Sequence, residues 1–420
     1  MCRYHNPTEI LMKYDIPVQS NVYSLVSALQ EAGYETYIVG GAIRDHLLGR
    51  SPKDYDVSTA ATPEEVRSVF GRRNARIIGK RFRLVHVTMG KELFEVSTFR
   101  RAPQQNTALA QKKELPENMI LSDNDFGTAE EDAWRRDFTI NALFYDPVKK
   151  ELLDYTGKGL EDIQKRVVRA IGEPQLRFEE DPVRMLRALK LVGQYDFSMD
   201  AVTETALFAS LPLLRHAAPS RLSLELEKIL GSCYGDRHLQ TFHDFGLLEY
   251  FLPEIEAAWG TPAAEYMLDL LNERNCRVAE GRYRNSVSLA MAAIVLPFVE
   301  QELDNGPGEL WIHTPETGAI INDILDRVFS PLTLMNRMTF SALRVLLMQP
   351  VINEPDADVD DLLRNRSYPH ARELHLIRTA VFDGDLAAEE ERLPISARRP
   401  AGRSNNRRPP RGNNKNRGNR

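Results

Sequence analysis

The hydrophobic pattern predicts strands alternating with helices in the first part of the chain. Val22, Leu25 and Leu29 recur at helical spacing, and Gly33 suits the end of that helix. The predicted elements are a helix over 21–32, a strand over 36–39, a helix over 42–48, and strands over 55–58, 83–89 and 93–99. This alternation is typical of an α/β or α+β domain.

Beyond residue 162 the strand signals fade and helical patterns take over. The predicted helices cover 182–192, 221–230, 263–271, 286–298 and 341–348. The sequence therefore predicts an α+β fold, with a mixed β-sheet and helices first and an all-α remainder after it.

The composition indicates which class of protein the chain belongs to. Hydrophobic residues make up 42% and charged residues 27%, which is typical of a soluble globular protein. No apolar run reaches the roughly 18 residues that a membrane helix needs, and no signal-peptide core is present near the start. The three cysteines lie far apart, without metal-ligand spacing. We expect a cytoplasmic protein without an integral membrane segment.

Charge is distributed unevenly around a net value of −6. Residues 398–420 contain eight Arg, one Lys and no acid, which leaves 45 basic against 60 acidic residues elsewhere. A second basic region, 67–101, has ten Arg or Lys against two Glu. Two concentrated positive regions on an acidic protein indicate local contact with a polyanion.

Two carboxylates near a glycine pair are the strongest chemical signal. Asp54 and Asp56 are two residues apart, so in a strand both side chains lie on one face. Adjacent carboxylates repel unless a cation lies between them, and Mg²⁺ prefers such oxygen ligands together with substrate phosphates. Upstream, Gly40 and Gly41 let a phosphate approach the backbone at a helix start, where Arg44 can reach a phosphate oxygen. Either feature alone is usually a turn or a surface strand.

A third carboxylate, Glu95, lies in the predicted strand over 93–99 and could complete this metal site. The alternative is a strand residue that faces solvent.

A second cluster follows at residues 135–141. Arg135 and Arg136 can hold a triphosphate, while Asp137 and Asn141 can hydrogen-bond a ribose hydroxyl and share one face if this segment is helical. The alternative is a cluster of salt bridges at a helix start.

A third cluster begins at Asp181-Pro182. Pro182 suits the first helical position, which makes Asp181 the expected N-cap and places Arg184 on the same face. A carboxylate can accept from the adenine N6 amino group while a guanidinium donates to N1, so the pair could select a base. The alternative is helix capping with a surface ion pair.

In this order, the three clusters resemble the motifs of the class II nucleotidyltransferases, which include bacterial poly(A) polymerases and tRNA CCA-adding enzymes. The matching runs are Gly40-Gly-Ala-Ile-Arg-Asp with Asp54-Tyr-Asp56, Arg135-Arg-Asp-Phe-Thr-Ile-Asn141, and Glu180-Asp-Pro-Val-Arg184. The resemblance implies two Mg²⁺ ions on Asp54 and Asp56, and ATP as substrate. The implied nucleotide-binding residues are Gly40, Gly41, Arg44, Arg135, Arg136, Asp137, Asn141, Asp181, Arg184 and Arg187.

Within this family the sequence is more similar to the poly(A) polymerase branch. The run over 77–87 resembles a segment of that branch, and the basic tail resembles its Arg-rich end. The expected RNA-binding residues are Lys80, Arg81, Arg83, Arg407 and Arg408. The predicted activity is polyadenylation of RNA 3′ ends, with an RNA-degradation machine as a candidate partner. Two alternatives stay open, a CCA-adding enzyme and a non-catalytic RNA-binding protein.

The resemblance also suggests a division of the chain. We expect a catalytic head over 20–172, a helical neck over 173–234, a helical body and leg over 235–395, and a disordered tail over 396–420.

Overall fold

The computed structural model of the protein describes residues 10–79, 83–101 and 125–395. Within these ranges the strands are β1 (Ile10–Lys13), β2 (Thr36–Val39), β3 (Asp56–Thr59), β4 (Ala75–Ile78), β5 (Leu84–Met89), β6 (Glu92–Thr98), β7 (Leu143–Asp146), β8 (Glu151–Asp154), β9 (Val167–Val168) and β10 (Ser198–Met199).

The helices that accompany the sheet are α1 (Ser20–Glu31), α2 (Gly41–Leu47), α3 (Pro63–Asn74), α4 (Ala129–Trp134) and α5 (Gly159–Lys165). They are followed by α6 (Pro174–Glu180), α7 (Val183–Tyr195), α8 (Ala201–Ser210), α9 (Pro219–Leu230), α10 (Gly235–Asp244), α11 (Leu248–Phe251), α12 (Pro253–Ala257), α13 (Pro262–Ala279), α14 (Val287–Glu302), α15 (Thr317–Val328), α16 (Asn336–Leu347), α17 (Gln349–Asn353), α18 (Val359–Arg364), α19 (Tyr368–Val381) and α20 (Leu386–Arg392). Short 3₁₀ helices cover Thr139–Asn141 and Leu211–His216.

The first eight strands form one mixed sheet in the order β1-β8-β7-β2-β3-β6-β5-β4. Strands β3 and β6 are parallel, and the other neighbours are antiparallel. Both faces of the centre are covered, since Ile38 joins the main core while Tyr37 and Val39 join a second cluster on the opposite face. The main core continues from the sheet into the helical part of the chain.

The α+β fold is confirmed, with two corrections to the predicted elements. The sheet also contains β1, β4 and the hairpin of β7 and β8, for which no strand was predicted; short apolar runs do not by themselves distinguish a strand from a buried helix. The region after residue 162 is not entirely helical, since β9 and β10 form a parallel pair. No helix among the described residues has the length and apolar character needed to cross a bilayer.

Candidate active site

A cleft of about 500 Å³ lies between the sheet and the helices that follow it. Of the predicted catalytic and nucleotide-binding residues, those that line it are Gly40, Gly41, Arg44, Asp56, Glu95, Arg135, Arg136, Asp137, Asn141, Asp181, Arg184 and Arg187. The structure thus brings all three sequence clusters to one cavity, although they are far apart along the chain.

Strand pairing explains how the carboxylates meet the glycine turn. Val39, the last residue of β2, pairs with Asp56, the first residue of antiparallel β3, so Gly40 follows directly beside Asp56. Asp56 also pairs in register with Glu95 of the parallel strand β6. The central strands β3 and β6 therefore carry two neighbouring carboxylates at the cleft, next to the glycine pair.

Asp54 lies just before this strand and not within it, because β3 begins at Asp56. The predicted alternation nevertheless holds, since Asp54 and Asp56 are exposed while Tyr55 and Val57 are buried. Asp54 is not among the residues that line the cleft, but it is close enough to Asp56 to interact with it electrostatically.

The environment of Asp56 favours a cation. Desolvation raises the pKa of Asp56 above its ordinary value; Arg136 opposes that shift, and the charges of Glu95 and Asp54 increase it. Among the described residues, no group of three His, Cys, Asp or Glu side chains is arranged as a complete metal site. Mg²⁺ normally takes only one or two carboxylates and completes its shell with substrate phosphates and water. Asp56 and Glu95, paired in neighbouring strands at the cleft, supply the oxygen donors that such a substrate-completed magnesium site uses.

The glycine turn lets a ligand in the cleft approach the backbone closely. Gly40 has φ 74°, and a Cβ added there would lie 3.3 Å from Nη1 of Arg136. A side chain at this position would therefore be strained and would crowd the cleft.

Arg44 is buried at the side of this turn and joins the sheet to the helices beyond it. Its Nη1 donates to Oδ1 of Asn141 at 2.6 Å, and its Nη2 donates to the hydroxyl of Tyr195 at 2.5 Å. That hydroxyl in turn donates to Oδ1 of Asp45 at 2.7 Å. Tyr195 is the last residue of α7, so this contact ties the end of that helix to the glycine turn.

The second cluster does not form a continuous helix. Helix α4 ends at Trp134, and only Thr139–Asn141 is helical after it, as a 3₁₀ turn. Asp137 and Asn141 are therefore not on one helical face as predicted, because the backbone at Phe138 is extended. Arg136 is held by Asp132 at 2.9 Å and by Ser58 at 3.2 Å, and Arg135 contacts Asp132 at 3.1 Å.

The third cluster is arranged differently from the prediction. Pro182 occupies the N-cap of α7, because Asp181 closes the preceding helix α6; its carboxylate still accepts from the backbone N–H of Val183 at 3.2 Å. Asp181 and Arg184 share the cleft but do not pair. Oδ2 of Asp181 accepts from Arg187 at 2.8 Å and from Arg221 at 2.7 Å.

Arg184 binds a different set of partners. Its Nε donates to Oδ1 of Asp137 at 2.7 Å, and its Nη1 donates to Glu180 at 2.9 Å. Asp137 also contacts Arg187 at 2.8 Å. Burial would raise the pKa of Asp137, but the charges of Arg187 and Arg184 outweigh it and hold the pKa below the ordinary value.

Sequence reasoning missed two arginines of the cleft. Arg177 is buried and donates to the backbone carbonyls of Arg135 and Arg136 at 2.6 and 2.8 Å, which fixes the backbone of the second cluster. Arg221 of α9 reaches Asp181 across the helical wall. The spacing of Arg177 and Glu180 within α6 could have identified the first, because residues three apart share a helical face; α9 gave no comparable signal.

Among the predicted RNA-binding residues, Arg83 is the one that the structure describes, and it does not line this cleft. Arg83 is partly exposed and pairs with Glu64 on α3. Lys80, Arg81, Arg407 and Arg408 lie outside the described residues.

Comparison with known proteins supports the family assignment. Residues 36–169 match the family described as "Poly A polymerase head domain", and residues 196–258 match "Probable RNA and SrmB-binding site of polymerase A". The poly(A) polymerase I of Salmonella typhi is 36% identical over 327 residues, which cover 77% of this chain and 70% of that protein. The chain belongs to the poly(A) polymerase family. The resemblance found in the three sequence clusters is thereby confirmed.

Other relatives of this family extend the comparison. The poly(A) polymerase I of Haemophilus influenzae is 41% identical over 237 residues, so the chain spans about half of that relative's length (52%). Among solved structures, the Bacillus stearothermophilus CCA-adding enzyme in complex with CTP aligns with a TM-score of 0.62 and 26% identity, over 89% of this chain and 80% of that one. The family fold is thus shared with an enzyme named for CCA addition.

Proposed function

We propose that the protein transfers adenylate from ATP to the 3′ end of RNA and releases pyrophosphate, in a magnesium-dependent reaction. The observation that carries this proposal is the single cleft that joins the carboxylates Asp56 and Glu95 to the base-facing pair Asp181 and Arg184. The relatives in the poly(A) polymerase I group support the choice of ATP and RNA.

Each side of the cleft has its own part in nucleotide binding. The glycine turn leaves room for phosphates, and Arg44, Arg135 and Arg136 supply positive charge around that space. Asp137 and Asn141 face the ribose. Asp181 can accept a hydrogen bond from the adenine N6 amino group while Arg184 donates to N1, which would select adenine over other bases.

Asp54 and Asp56 would hold two magnesium ions, with Glu95 as the neighbouring carboxylate. Such ions, when bound, make a hydroxyl a stronger nucleophile and stabilise the negative charge of a reacting phosphate. The residues of the chain position the reactants. Asp56 and Glu95 define where the reaction takes place on the central strands β3 and β6, and Arg44 holds the triphosphate beside them. The RNA 3′-hydroxyl then attacks the α-phosphorus of ATP in line with the departing pyrophosphate.

A CCA-adding enzyme is the second candidate, because the solved structure with CTP shares this fold. A gel assay separates the two with purified protein, magnesium, and either an unstructured RNA or a tRNA that lacks its terminal CCA. ATP and CTP are supplied separately and together. We expect long adenylate tails from ATP alone on unstructured RNA. Addition limited to three nucleotides on the tRNA, with a requirement for CTP, would replace this proposal by CCA addition, and extension of neither RNA would favour a non-catalytic RNA-binding protein.

The remaining parts of the proposal concern the rest of the chain. The head, neck, and body and leg take the boundaries 20–172, 173–234 and 235–395, and the basic tail contributes electrostatic RNA contacts through residues such as Arg407 and Arg408. Deleting residues 398–420 should leave ATP binding intact, weaken RNA binding and make its salt dependence shallower. An unchanged salt dependence would reject this role of the tail.

We also propose that the protein acts in the cytoplasm beside an RNA-degradation machine. Co-purification with tagged protein would test this partner.

A further inference from the structure

One buried carboxylate beside the cleft has no part in the proposed function. Asp132 lies in α4, its side chain is 2% exposed, and it is not among the residues that line the cleft. An ionised carboxylate at this depth is costly unless charged or polar groups bind it. The partners of Asp132 therefore indicate what it does.

Asp132 binds two arginines of the cleft at once. Its Oδ2 accepts from Nη2 of Arg136 at 2.9 Å, and its Oδ1 accepts from Nε of Arg135 at 3.1 Å. Oδ1 also accepts from the backbone N–H of Arg100 at 3.2 Å, which attaches α4 to the chain just after β6. Burial would raise the pKa of Asp132, but the charges of Arg136 and Arg135 outweigh it and hold the pKa below the ordinary value.

Arg136 is the partner that reaches the sheet side of the cleft. Its Nη2 also donates to Ser58 at 3.2 Å, and Ser58 lies two residues after Asp56 on the same face of β3. Its Nη1 lies against the glycine turn, 3.3 Å from a Cβ built on Gly40. The guanidinium therefore lies between the carboxylates and the turn. A long side chain loses considerable rotamer freedom when it is held in one such position, so its fixed partners matter.

We propose that Asp132 is a positioning residue for ATP binding, which holds the guanidinium groups of Arg136 and Arg135 where the triphosphate binds. Asp132 itself touches neither substrate. This inference rests on the proposed function, because that function assigns the triphosphate to these arginines. Arginines that are held in advance lose less freedom when ATP binds, so the effect of Asp132 should appear in the affinity for ATP.

The first test compares Asp132→Asn with a matched control, Glu373→Gln, in the full chain. Glu373 is also buried and also binds an arginine, Arg277 at 2.6 Å, but neither of these residues lines the cleft. Both changes replace a buried carboxylate by an amide of the same shape. We expect Asp132→Asn to raise the KM for ATP roughly tenfold, the effect of losing one hydrogen bond between charged groups. The control should keep the wild-type KM even if its melting temperature falls.

The split between KM and kcat separates positioning from a general loss of structure. We expect kcat of Asp132→Asn to stay near the wild-type value, because the arginines hold the triphosphate before the reaction as well as during it. A fall in kcat with an unchanged KM would contradict the proposal.

A double-mutant cycle tests whether Asp132 acts through Arg136. ATP affinity is measured by titration without RNA for the wild type, Asp132→Asn, Arg136→Ala and the double variant. We expect Arg136→Ala to weaken ATP binding and to remove most of the further effect of Asp132→Asn, because the side chain that Asp132 holds is then absent. Losses that simply add would show that Asp132 does not act through Arg136.

Ser58→Ala provides a second variant if Asp132→Asn does not fold. It removes only the other contact that places Arg136, so the affinity for ATP should fall by a smaller factor, and an unchanged affinity would overturn the proposal in that case. The proposal is also overturned if Asp132→Asn binds ATP as tightly as the Glu373→Gln control. A wild type that binds ATP but extends no RNA would reject the proposed function instead, while the titrations would still test Asp132.

Discussion

The two walls of the cleft balance their charges in opposite ways. On the sheet side, Asp54, Asp56 and Glu95 lie together, and the pKa of Asp56 is raised. On the helical side, Asp137 is enclosed by arginines and its pKa is lowered. Desolvation and the neighbouring carboxylates keep the pKa of Asp56 high, whereas Arg187 and Arg184 keep that of Asp137 low.

This difference separates chemistry from recognition. An ion-paired network, such as Asp137 with Arg184 and Arg187, is arranged before any ligand arrives and can present fixed hydrogen-bonding groups to a nucleotide. A crowded set of carboxylates is completed only by cations that arrive with the substrate. The sheet side therefore has the features of the reacting centre, and the helical side those of the selecting surface.

The largest expected effect comes from removing a carboxylate of the sheet side. We expect Asp56→Ala or Asp54→Ala to reduce kcat for RNA extension by at least about 10³-fold, the scale found when a major electrostatic stabiliser is lost. The melting temperature should not fall, because neither side chain is part of the core. Near-normal turnover in either variant would refute the assignment of the metal ligands.

On the helical side, we expect stability to suffer instead. Asp137→Ala leaves Arg184 and Arg187 without their shared carboxylate. Breaking a buried pair costs about 3–5 kcal/mol, and the partial exposure of Asp137 places the expected loss at the low end of that range. Urea unfolding of the wild type and Asp137→Ala measures it, with Glu161→Ala on the exposed face of α5 as the control. A loss no greater than that of the control would show that the network is not stabilising.

Removing Arg221 on the helical side should have a smaller effect on activity. Its side chain is 44% exposed, so its pair with Asp181 is screened by solvent. We expect Arg221→Ala to lower kcat/KM for ATP by no more than about fivefold, since exposed pairs contribute about 0.2–1 kcal/mol. Competition between ATP and CTP in the extension assay measures whether selectivity falls with it. A loss of a hundredfold would mean that Arg221 contacts the nucleotide directly.

The smallest expected effect is on stability, whose dependence on pH has opposite signs at the two walls. The raised pKa of Asp56 means that its ionised form is disfavoured in the folded state, so its contribution to stability falls as pH rises from its ordinary pKa through the folded pKa. The lowered pKa of Asp137 contributes stability above its ordinary pKa that is lost as pH falls through the folded pKa.

At neutral pH without magnesium, Asp56→Asn should therefore raise the melting temperature slightly, whereas Asp137→Asn should lower it. Thermal melts with and without magnesium measure both variants. Magnesium should stabilise the wild type more than Asp56→Asn. A decrease in melting temperature for Asp56→Asn without magnesium would contradict the assigned direction.

The sequence predicted which residues line the cleft better than it predicted the contacts among them. Alternation correctly placed Asp54 and Asp56 on the exposed face, because that depends only on local geometry. The pairing of Asp56 with Glu95 could not be predicted, because it depends on which strands become neighbours in the sheet.

The third cluster differs from the prediction for a similar reason. Local spacing predicted Asp181 as the N-cap of the helix with Arg184 on the same face, whereas Pro182 holds that position. In the structure each binds one nearby and one distant partner: Asp181 binds Arg187 and Arg221, and Arg184 binds Glu180 and Asp137. The distant partners depend on which elements the fold brings together, and they are not encoded in local spacing.

The hydroxyl of Tyr195 has a consequence for how the two substrates affect each other. This hydroxyl accepts a hydrogen bond from Arg44, beside the glycine turn, and donates one to Asp45. Tyr195 is also the last residue of α7, whose first turn carries Arg184. Under the proposed function, a triphosphate that drew Arg44 away would remove one contact from the end of that helix, and a shift of the helix by RNA would act on Arg44 through the same hydroxyl. Thermodynamic reciprocity would then require RNA to change the affinity for ATP by the same factor as ATP changes the affinity for RNA. Tyr195 is thus a direct side-chain link between the phosphate side of the cleft and the far end of α7.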